Sequence, residues 1–227
     1  MSNRLERIAS LVHNGVGVAD VGTDHAYLPV LLLKRGYTGH IIATDINEGP
    51  IAKARANLSE HGLENKVELI RCDGLDGCSP DRIDTIIIAG MGGDTITGIL
   101  DRAEWCSRPD IKLILQPVTK CEILRYWLIN NGFAITDELL TEENGVLYQI
   151  LRAEPGEAHG HTDAELFTGC FDLIEHDPLS FKLLDSLIKR FSSAVLGLER
   201  NKRGGLDAWL EINRTILNEL IDMRERK

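Results

Sequence analysis

Carboxylates follow three successive apolar segments of the chain. Asp20 and Gly22 lie in the turn that closes the first segment. Asp45 ends the second segment, and Asp73 and Gly74 follow the third. Because the carboxyl ends of parallel strands meet at one edge of a sheet, these side chains would face a single crevice. Carboxylates in that position can accept hydrogen bonds from ribose hydroxyls or from an ammonium group. The spacing therefore predicts a site for a nucleoside-type cofactor.

The first turn narrows the cofactor class. A dinucleotide site needs the G-x-G-x-x-G pattern, and Gly22 is the one member of that set within 20–29. The run from Asp20 to Ala26 instead resembles the acidic-x-Gly-x-Gly-x-Gly turn of class I S-adenosylmethionine-dependent methyltransferases, with Asp24 and Ala26 in place of the later glycines. Asp24 adds a second negative charge at this turn, which makes it a candidate for chemistry. The alternative is an aspartate that only forms the turn.

Alternating strands and helices must position these residues. Periodicity predicts helices over 4–14 and 48–61 and a hairpin over 133–152 with its turn at 142–144. A capping box at 119–122 predicts the start of another helix. Apolar runs predict strands at 16–19, 39–45, 66–71, 83–89 and 112–117. We expect an α/β fold with the Rossmann-like, seven-stranded sheet of class I methyltransferases.

A glycine-rich segment, Gly90-Met91-Gly92-Gly93, follows the fourth predicted strand. Amino-methylating enzymes of this fold carry an Asn/Asp-Pro-Pro-Tyr/Phe clamp here, and this chain lacks it. The glycines are expected to let the backbone at Ala89 and Gly90 approach a flat ligand closely. Met91 is a candidate for stacking on a base, and Gln116 at the end of the fifth strand is a candidate ligand contact.

A polar linker at 155–161 separates two predicted domains, a methyltransferase domain over 1–155 and a helical hairpin over 162–227. In the second domain two apolar stripes, one of which includes Trp209, predict amphipathic helices that fold back as an antiparallel, coiled-coil-like pair. Basic residues at the tip can hold RNA phosphates or can simply be solvated: Arg200, Lys202 and Arg203.

Composition excludes several classes. The formal net charge of −10 argues against a protein that coats nucleic acid by bulk electrostatics. The five cysteines form no C-x-x-C pair, so we expect reduced thiols and no metal site. No signal peptide or membrane-spanning apolar run is evident, and we expect a cytoplasmic protein.

Three motifs and the C-terminal hairpin together closely resemble the bacterial tRNA (adenine-22, N1) methyltransferase family. The motifs are Asp-Val-Gly-Thr-Asp-His-Ala-Tyr-Leu-Pro at 20–29, Ala-Gly-Met-Gly-Gly at 89–93 and Leu-Gln-Pro at 115–117. The resemblance implies S-adenosyl-L-methionine as cofactor, tRNA as partner and N1-methyladenosine in the D-arm as product. It also implies a catalytic role for Asp24 and a site contact for Arg4.

These observations give two sets of expected contacts. Cofactor contacts are expected at Asp20, Gly22, Asp45, Ile46, Asp73, Gly74, Ala89 and Gly90. Substrate contacts are expected at Arg4, His25, Tyr27, Met91, Gln116, Arg200, Lys202 and Arg203.

The missing clamp agrees with methylation at adenine N1. This nitrogen has an in-plane lone pair, so the enzyme mainly aligns nucleophile and methyl group. The base must be exposed or flipped first, because N1 lies on its Watson–Crick edge.

Three alternatives remain open: a methyltransferase acting on a small molecule with a dimerising hairpin, a nicotinamide-dependent oxidoreductase, and a non-catalytic RNA-binding module. Comparing methyl transfer to tRNA with methyl transfer to metabolites tests the small-molecule alternative. Comparing the binding of S-adenosylhomocysteine with the binding of NAD tests the oxidoreductase alternative.

Overall fold

The computed structural model describes residues 3–158, 160–200 and 206–226. The chain divides into two compact units, Met1–Ala158 and His159–Lys227. Lys202 and Arg203, the predicted basic residues of the hairpin tip, lie outside the described residues. Among the residues that are described, no helix is both long and apolar enough to cross a membrane.

Unit 1 contains one seven-stranded sheet with the order β3-β2-β1-β4-β5-β7-β6. The first five strands in sequence pair in parallel, whereas β7 runs antiparallel to both β5 and β6. This is the Rossmann-like class I methyltransferase sheet, as predicted. The strands are β1 Gly17–Val21, β2 His40–Asp45, β3 Glu68–Arg71, β4 Thr85–Gly92, β5 Lys112–Thr119, β6 Phe133–Glu143 and β7 Val146–Pro155.

Helices cover both faces of the sheet. The central strands are buried on both sides, so Ile86 and Ile88 of β4 enter one apolar cluster while Ile87 enters the other. Burial of each such side chain stabilises the fold by about 1.5–3 kcal/mol. The unit 1 helices are α1 Asn3–Ser10, α2 Tyr27–Lys34, α3 Glu48–Glu60, α4 Gly93–Arg102 and α5 Cys121–Asn130, with 3₁₀ turns at Pro80–Arg82 and Glu104–Ser107.

The start of α5 differs from the prediction. The capping box expected at 119–122 is absent, because β5 continues to Thr119 and Lys120 takes a left-handed conformation with φ of 55° and no side-chain cap. A Cβ atom at Gly93 would lie 2.1 Å from the Lys120 carbonyl oxygen. Gly93 is therefore required for packing of the β4–α4 turn against the β5–α5 turn.

The β6–β7 turn also lies later than predicted. Asn144 and Gly145 have φ values of 51° and 79°, the combination that tight type I′ hairpin turns require. Glu142 and Glu143, which were predicted to form the turn, are the last two residues of β6. This shift brings Glu143 to the edge of the sheet where the cofactor site was predicted.

Unit 2 contains α6 Glu165–Thr168, α7 Phe171–Ile174, α8 Ser180–Arg200 and α9 Asp207–Glu225. The long helices α8 and α9 pack antiparallel, since Arg224 pairs with Asp185 at 2.9 Å and Arg214 pairs with Glu199 at 2.7 Å. The short helices α6 and α7 were not predicted. Trp209 was assigned to the buried stripe, but the residue is 61% exposed, and Ile216, Leu220 and Met223 form the buried face of α9.

Candidate active site

The β1–α2 turn is built around an unusual backbone. Gly22, His25 and Ala26 all have positive φ values, of 75°, 62° and 53°. A left-handed residue other than glycine costs about 1–2 kcal/mol, and such residues concentrate at functional sites. Two interactions hold the turn in place: the N–H groups of Gly22 and Thr23 both donate to the Thr44 carbonyl at 2.8 Å, and Asn57 Nδ2 donates to the His25 carbonyl at 2.6 Å.

Asp20 is a buried carboxylic acid at the base of this turn. Burial raises the pKa of Asp20 from 3.8 to about 6, and the nearby Thr23 hydroxyl offsets part of that rise. A cationic ligand group would therefore stabilise the ionised form of Asp20.

Two cavities open at the carboxyl edge of the parallel strands. The first has a volume of about 420 Å³ and is lined by Arg4, Leu5, Asp20, Gly22, Thr23, Asp24, Tyr27, Leu28, Ala89, Gly90 and Glu143. The second has a volume of about 480 Å³ and is lined by Val21, Gly22, Asp45, Ile46, Asp73, Gly74, Met91, Asp94, Thr95, Gly98, Ile99 and Arg102.

The two cavities meet at Gly22, which lines both. A Cβ atom at Gly22 would lie 2.0 Å from Met91 Cε, so a side chain there would displace Met91. Met91, predicted to stack on a substrate base, lines the second cavity and packs over Gly22. All eight predicted cofactor residues line one cavity or the other.

Two of the three carboxylates that line the second cavity, Asp45 and Asp73, lie at the ends of neighbouring parallel strands, and the third, Asp94, lies on α4. Asp45 Oδ1 accepts a hydrogen bond from the Asn47 N–H at 2.7 Å, and Asp73 pairs with Arg102 at 2.9 Å. Ile46 is 55% exposed and offers an apolar surface to a flat ring. Arg102 was not predicted, because it lies at the end of α4 and no motif marks it.

The first cavity carries the predicted catalytic carboxylate at its rim. The Asp24 side chain is 68% exposed, with His25 Nε2 at 3.6 Å and Lys53 Nζ at 4.0 Å from its Oδ1 atom. The His25 and Tyr27 rings stack with centroids 5.1 Å apart and an interplanar angle of 13°. Lys53 lies on α3 and was not among the predicted residues.

Arg4 reaches the first cavity from α1. Its Nη1 atom donates to Gln116 Oε1 at 2.5 Å, its Nε atom lies 3.7 Å from Glu143 Oε2, and its guanidinium lies 5.4 Å from the Tyr148 ring centroid. Gln116 is fully buried, so the expectation that it contacts a ligand directly is corrected: it anchors Arg4. Glu143 was missed because the sequence placed it in a turn.

Arg200 is the one predicted unit 2 residue that the structure describes. It lies at the end of α8, where its side chain is exposed. Within unit 1, the predicted cofactor residues and Asp24, Arg4, Tyr27 and Met91 line the two cavities.

Comparison with known proteins identifies the family. Residues 1–151 match a family model described as a methyltransferase domain. The tRNA (adenine(22)-N(1))-methyltransferase of Bacillus subtilis (strain 168) is 36% identical over 157 residues, which cover 69% of this chain and 66% of that protein, just under two thirds of its length. The chain belongs to the tRNA (adenine-22, N1) methyltransferase family.

Solved structures extend this similarity over both units. Streptococcus pneumoniae Sp1610 in complex with S-adenosyl-L-methionine has a TM-score of 0.85 and 31% identity, with 99% of this chain and 100% of that chain covered. TrmK of M. capricolum in complex with S-adenosyl-homocysteine has a TM-score of 0.83 and 26% identity, with 99% of each chain covered. Both neighbours were thus solved with S-adenosyl-L-methionine or its demethylated product bound.

The residues around the cavities fit that cofactor. Asp20 is a buried acid suited to an ammonium group, and three further carboxylates, Asp45, Asp73 and Asp94, line the second cavity, where a nucleoside would present hydroxyl and amino donors. Gly22 lines both cavities, and its lack of a side chain makes room for Met91, which packs against it where a ligand spanning the two cavities would pass. The donor set therefore matches an amino-acid end in the first cavity and a nucleoside end in the second.

Proposed function

We propose that this protein transfers a methyl group from S-adenosyl-L-methionine to N1 of adenine 22 in the D-arm of tRNA. The observation that carries the proposal is the first cavity, which joins the cofactor's nucleoside cavity at Gly22 and presents the Asp24 carboxylate at an open rim. The activity named for the Bacillus subtilis relative supports this assignment.

The residues of the two cavities divide the task of holding the cofactor. Asp45 would accept hydrogen bonds from the ribose, while Asp73, Gly74 and Ile46 would contact the adenine. Asp20 would bind the ammonium group beside the Gly22, Ala89 and Gly90 backbone. When bound, the cofactor supplies an electrophilic methyl group on a sulfonium.

Asp24 would act on the charge that the reaction creates. Methylation at N1 makes the adenine cationic, and a carboxylate at the rim can stabilise that charge or accept a proton from N6. His25 Nε2 and Lys53 Nζ lie 3.6 and 4.0 Å from Asp24 Oδ1, so both can orient the carboxylate at the rim.

The remaining rim and hairpin residues would bind the RNA. Tyr27 is 52% exposed, and its ring can stack on a base that has been flipped out of the tRNA. Arg200, Lys202 and Arg203 would contact phosphates, a local attraction that the net charge of −10 does not prevent. With tRNA as its substrate, the enzyme would work in the cytoplasm.

The test is methyl transfer from labelled cofactor to total tRNA from cells that lack the enzyme, followed by mapping of the methylated nucleotide. We expect N1-methyladenosine at position 22. Transfer to a metabolite extract with none to tRNA would contradict the proposal and favour a small-molecule methyltransferase.

A further inference from the structure

Glu143 is a carboxylate of the first cavity to which the mechanism above gives no role. It is the last residue of β6, and its side chain is 26% exposed. The β6–β7 hairpin brings it to the same cavity as Asp20 and Asp24, which follow β1. The cavity thus contains acids that lie more than 100 residues apart in the sequence.

Arg4 holds Glu143 at a defined position. Its guanidinium is fixed by the hydrogen bond from Nη1 to the fully buried Gln116 and by the Tyr148 ring, and its Nε atom faces Glu143 Oε2 at 3.7 Å. That Nε atom is buried and donates to no acceptor among the residues that the structure describes. The Asp24 side chain, by contrast, is 68% exposed, with His25 Nε2 at 3.6 Å and Lys53 Nζ at 4.0 Å.

The hydrogen-bonding groups of adenine determine what such an acceptor would recognise. When N1 attacks a methyl group, its lone pair must stay free, so recognition of the Watson–Crick edge has to use the N6 amino group. That group has two hydrogens, and each can be donated to a different carboxylate. A guanine would present a carbonyl oxygen at the same position, and a carboxylate repels it.

We propose that Glu143 is the specificity-determining acceptor for the N6 amino group of the target adenine, and that Arg4 is its positioning residue. This inference rests on the proposed function. Asp24 serves the charge that develops during transfer, whereas Glu143 selects the base before transfer. A site built to bind an N–H group discriminates against an analogue that lacks the group.

The experiment compares two tRNAs that differ at position 22, one with adenosine and one with purine riboside, which lacks the amino group. The ratio of kcat/KM for the two substrates is measured in the wild type, Glu143→Ala and Glu143→Gln. We expect the preference for adenosine to fall about tenfold to hundredfold in Glu143→Ala, and by less in Glu143→Gln, whose amide oxygen still accepts. Binding of S-adenosylhomocysteine should stay within a few-fold of wild type.

Glu142→Ala is the matched control. It removes the same charge from the neighbouring position of β6, but Glu142 is outside the lining of the cavity and side chains alternate along a strand. The control should keep the wild-type ratio. Glu143→Gln preserves the side-chain shape and serves if Glu143→Ala does not fold.

An unchanged ratio in both Glu143 variants, or an equal loss on both tRNAs, would overturn the assignment. Failure of the wild type to methylate the adenosine tRNA would instead overturn the proposed function, and the assignment with it. The two failures are distinguishable because the second is seen before any variant is compared.

Discussion

The two cavities that meet at Gly22 are assembled in different ways. The second cavity takes two of its three acids from the ends of neighbouring parallel strands, at Asp45 and directly after β3 at Asp73, and the third, Asp94, from the first turn of α4. The first cavity adds Arg4 from α1 and Glu143 from β6 to the β1–α2 turn. A cofactor shared by many enzymes can thus be bound by consecutive strand ends, whereas the substrate side depends on elements that are distant in sequence.

The variant expected to distinguish most strongly between the functions of the two cavities is Asp24→Ala. We expect a loss of about 10²- to 10⁴-fold in kcat for methyl transfer to tRNA, because a carboxylate that acts on the developing charge or takes a proton is removed. Binding of S-adenosylhomocysteine should change by no more than a few-fold, since Asp24 is at the exposed rim. Single-turnover transfer and calorimetry measure the two effects, and retained turnover would remove Asp24 from the mechanism.

Acid pH should weaken cofactor binding, because Asp20 becomes protonated. Its pKa of about 6 means that the carboxyl group gains a proton as pH falls through 6, and the neutral form does not attract an ammonium group. We expect the affinity for S-adenosylhomocysteine to be greatest above pH 7 and to fall about tenfold per unit well below pH 6. Calorimetry between pH 5 and 8 measures this, and Asp20→Asn should be weak and insensitive to pH over that range.

The same group has the opposite effect on folding. Because the folded pKa of about 6 exceeds the ordinary value of 3.8, protonated Asp20 contributes stability that is complete below about pH 3.8 and is lost as pH rises through 6. Urea unfolding of wild type and Asp20→Asn across this window gives the check: the difference between them should shrink as pH falls.

Gly22→Ala tests whether the junction itself matters. The positive φ of 75° costs an alanine about 1 kcal/mol, and its Cβ would push Met91 into the second cavity. We expect lower stability and several-fold weaker cofactor binding. Gly36→Ala is the control, because Gly36 has a φ of 87° and open space around it, so it carries the backbone cost alone. Equal cofactor affinity in the two variants would show that the bound cofactor does not pass Gly22 from one cavity to the other.

Arg102→Ala should have the smallest effect. The Arg102–Asp73 pair is about half exposed on both sides, and such pairs contribute at most about 1 kcal/mol to stability. Cofactor affinity should fall about two- to threefold as Asp73 loses its partner. Arg214→Ala breaks a comparably exposed pair with Glu199 in unit 2 and is the matched control for stability, with no expected change in affinity.

Sequence reasoning reached most of the fold because the signals were local. Continuous apolar runs identified the parallel strands, and Asp45 and Asp73 were found because they directly follow such runs. The start of α5 was predicted wrongly since the Thr119–Glu122 pattern satisfies a capping box, yet packing of Gly93 against Lys120 determines the backbone there.

The missed site residues share one physical cause. Glu143, Lys53 and Arg102 acquire their positions from tertiary packing, and no spacing within the sequence relates them to the β1–α2 turn. Gln116 was found for its place after β5, but only its burial indicates that it contacts Arg4. Tertiary contacts of this kind leave no periodic signal in a single chain.

Gly93 has a practical consequence for mutational scanning. A Cβ there would lie 2.1 Å from a backbone oxygen of Lys120, which cannot move aside as a flexible side chain would. In a saturation library every substitution at this codon should be depleted as strongly as changes at ligand-binding positions. A ranking of sites by tolerance alone would therefore include a residue whose function is to let two turns touch.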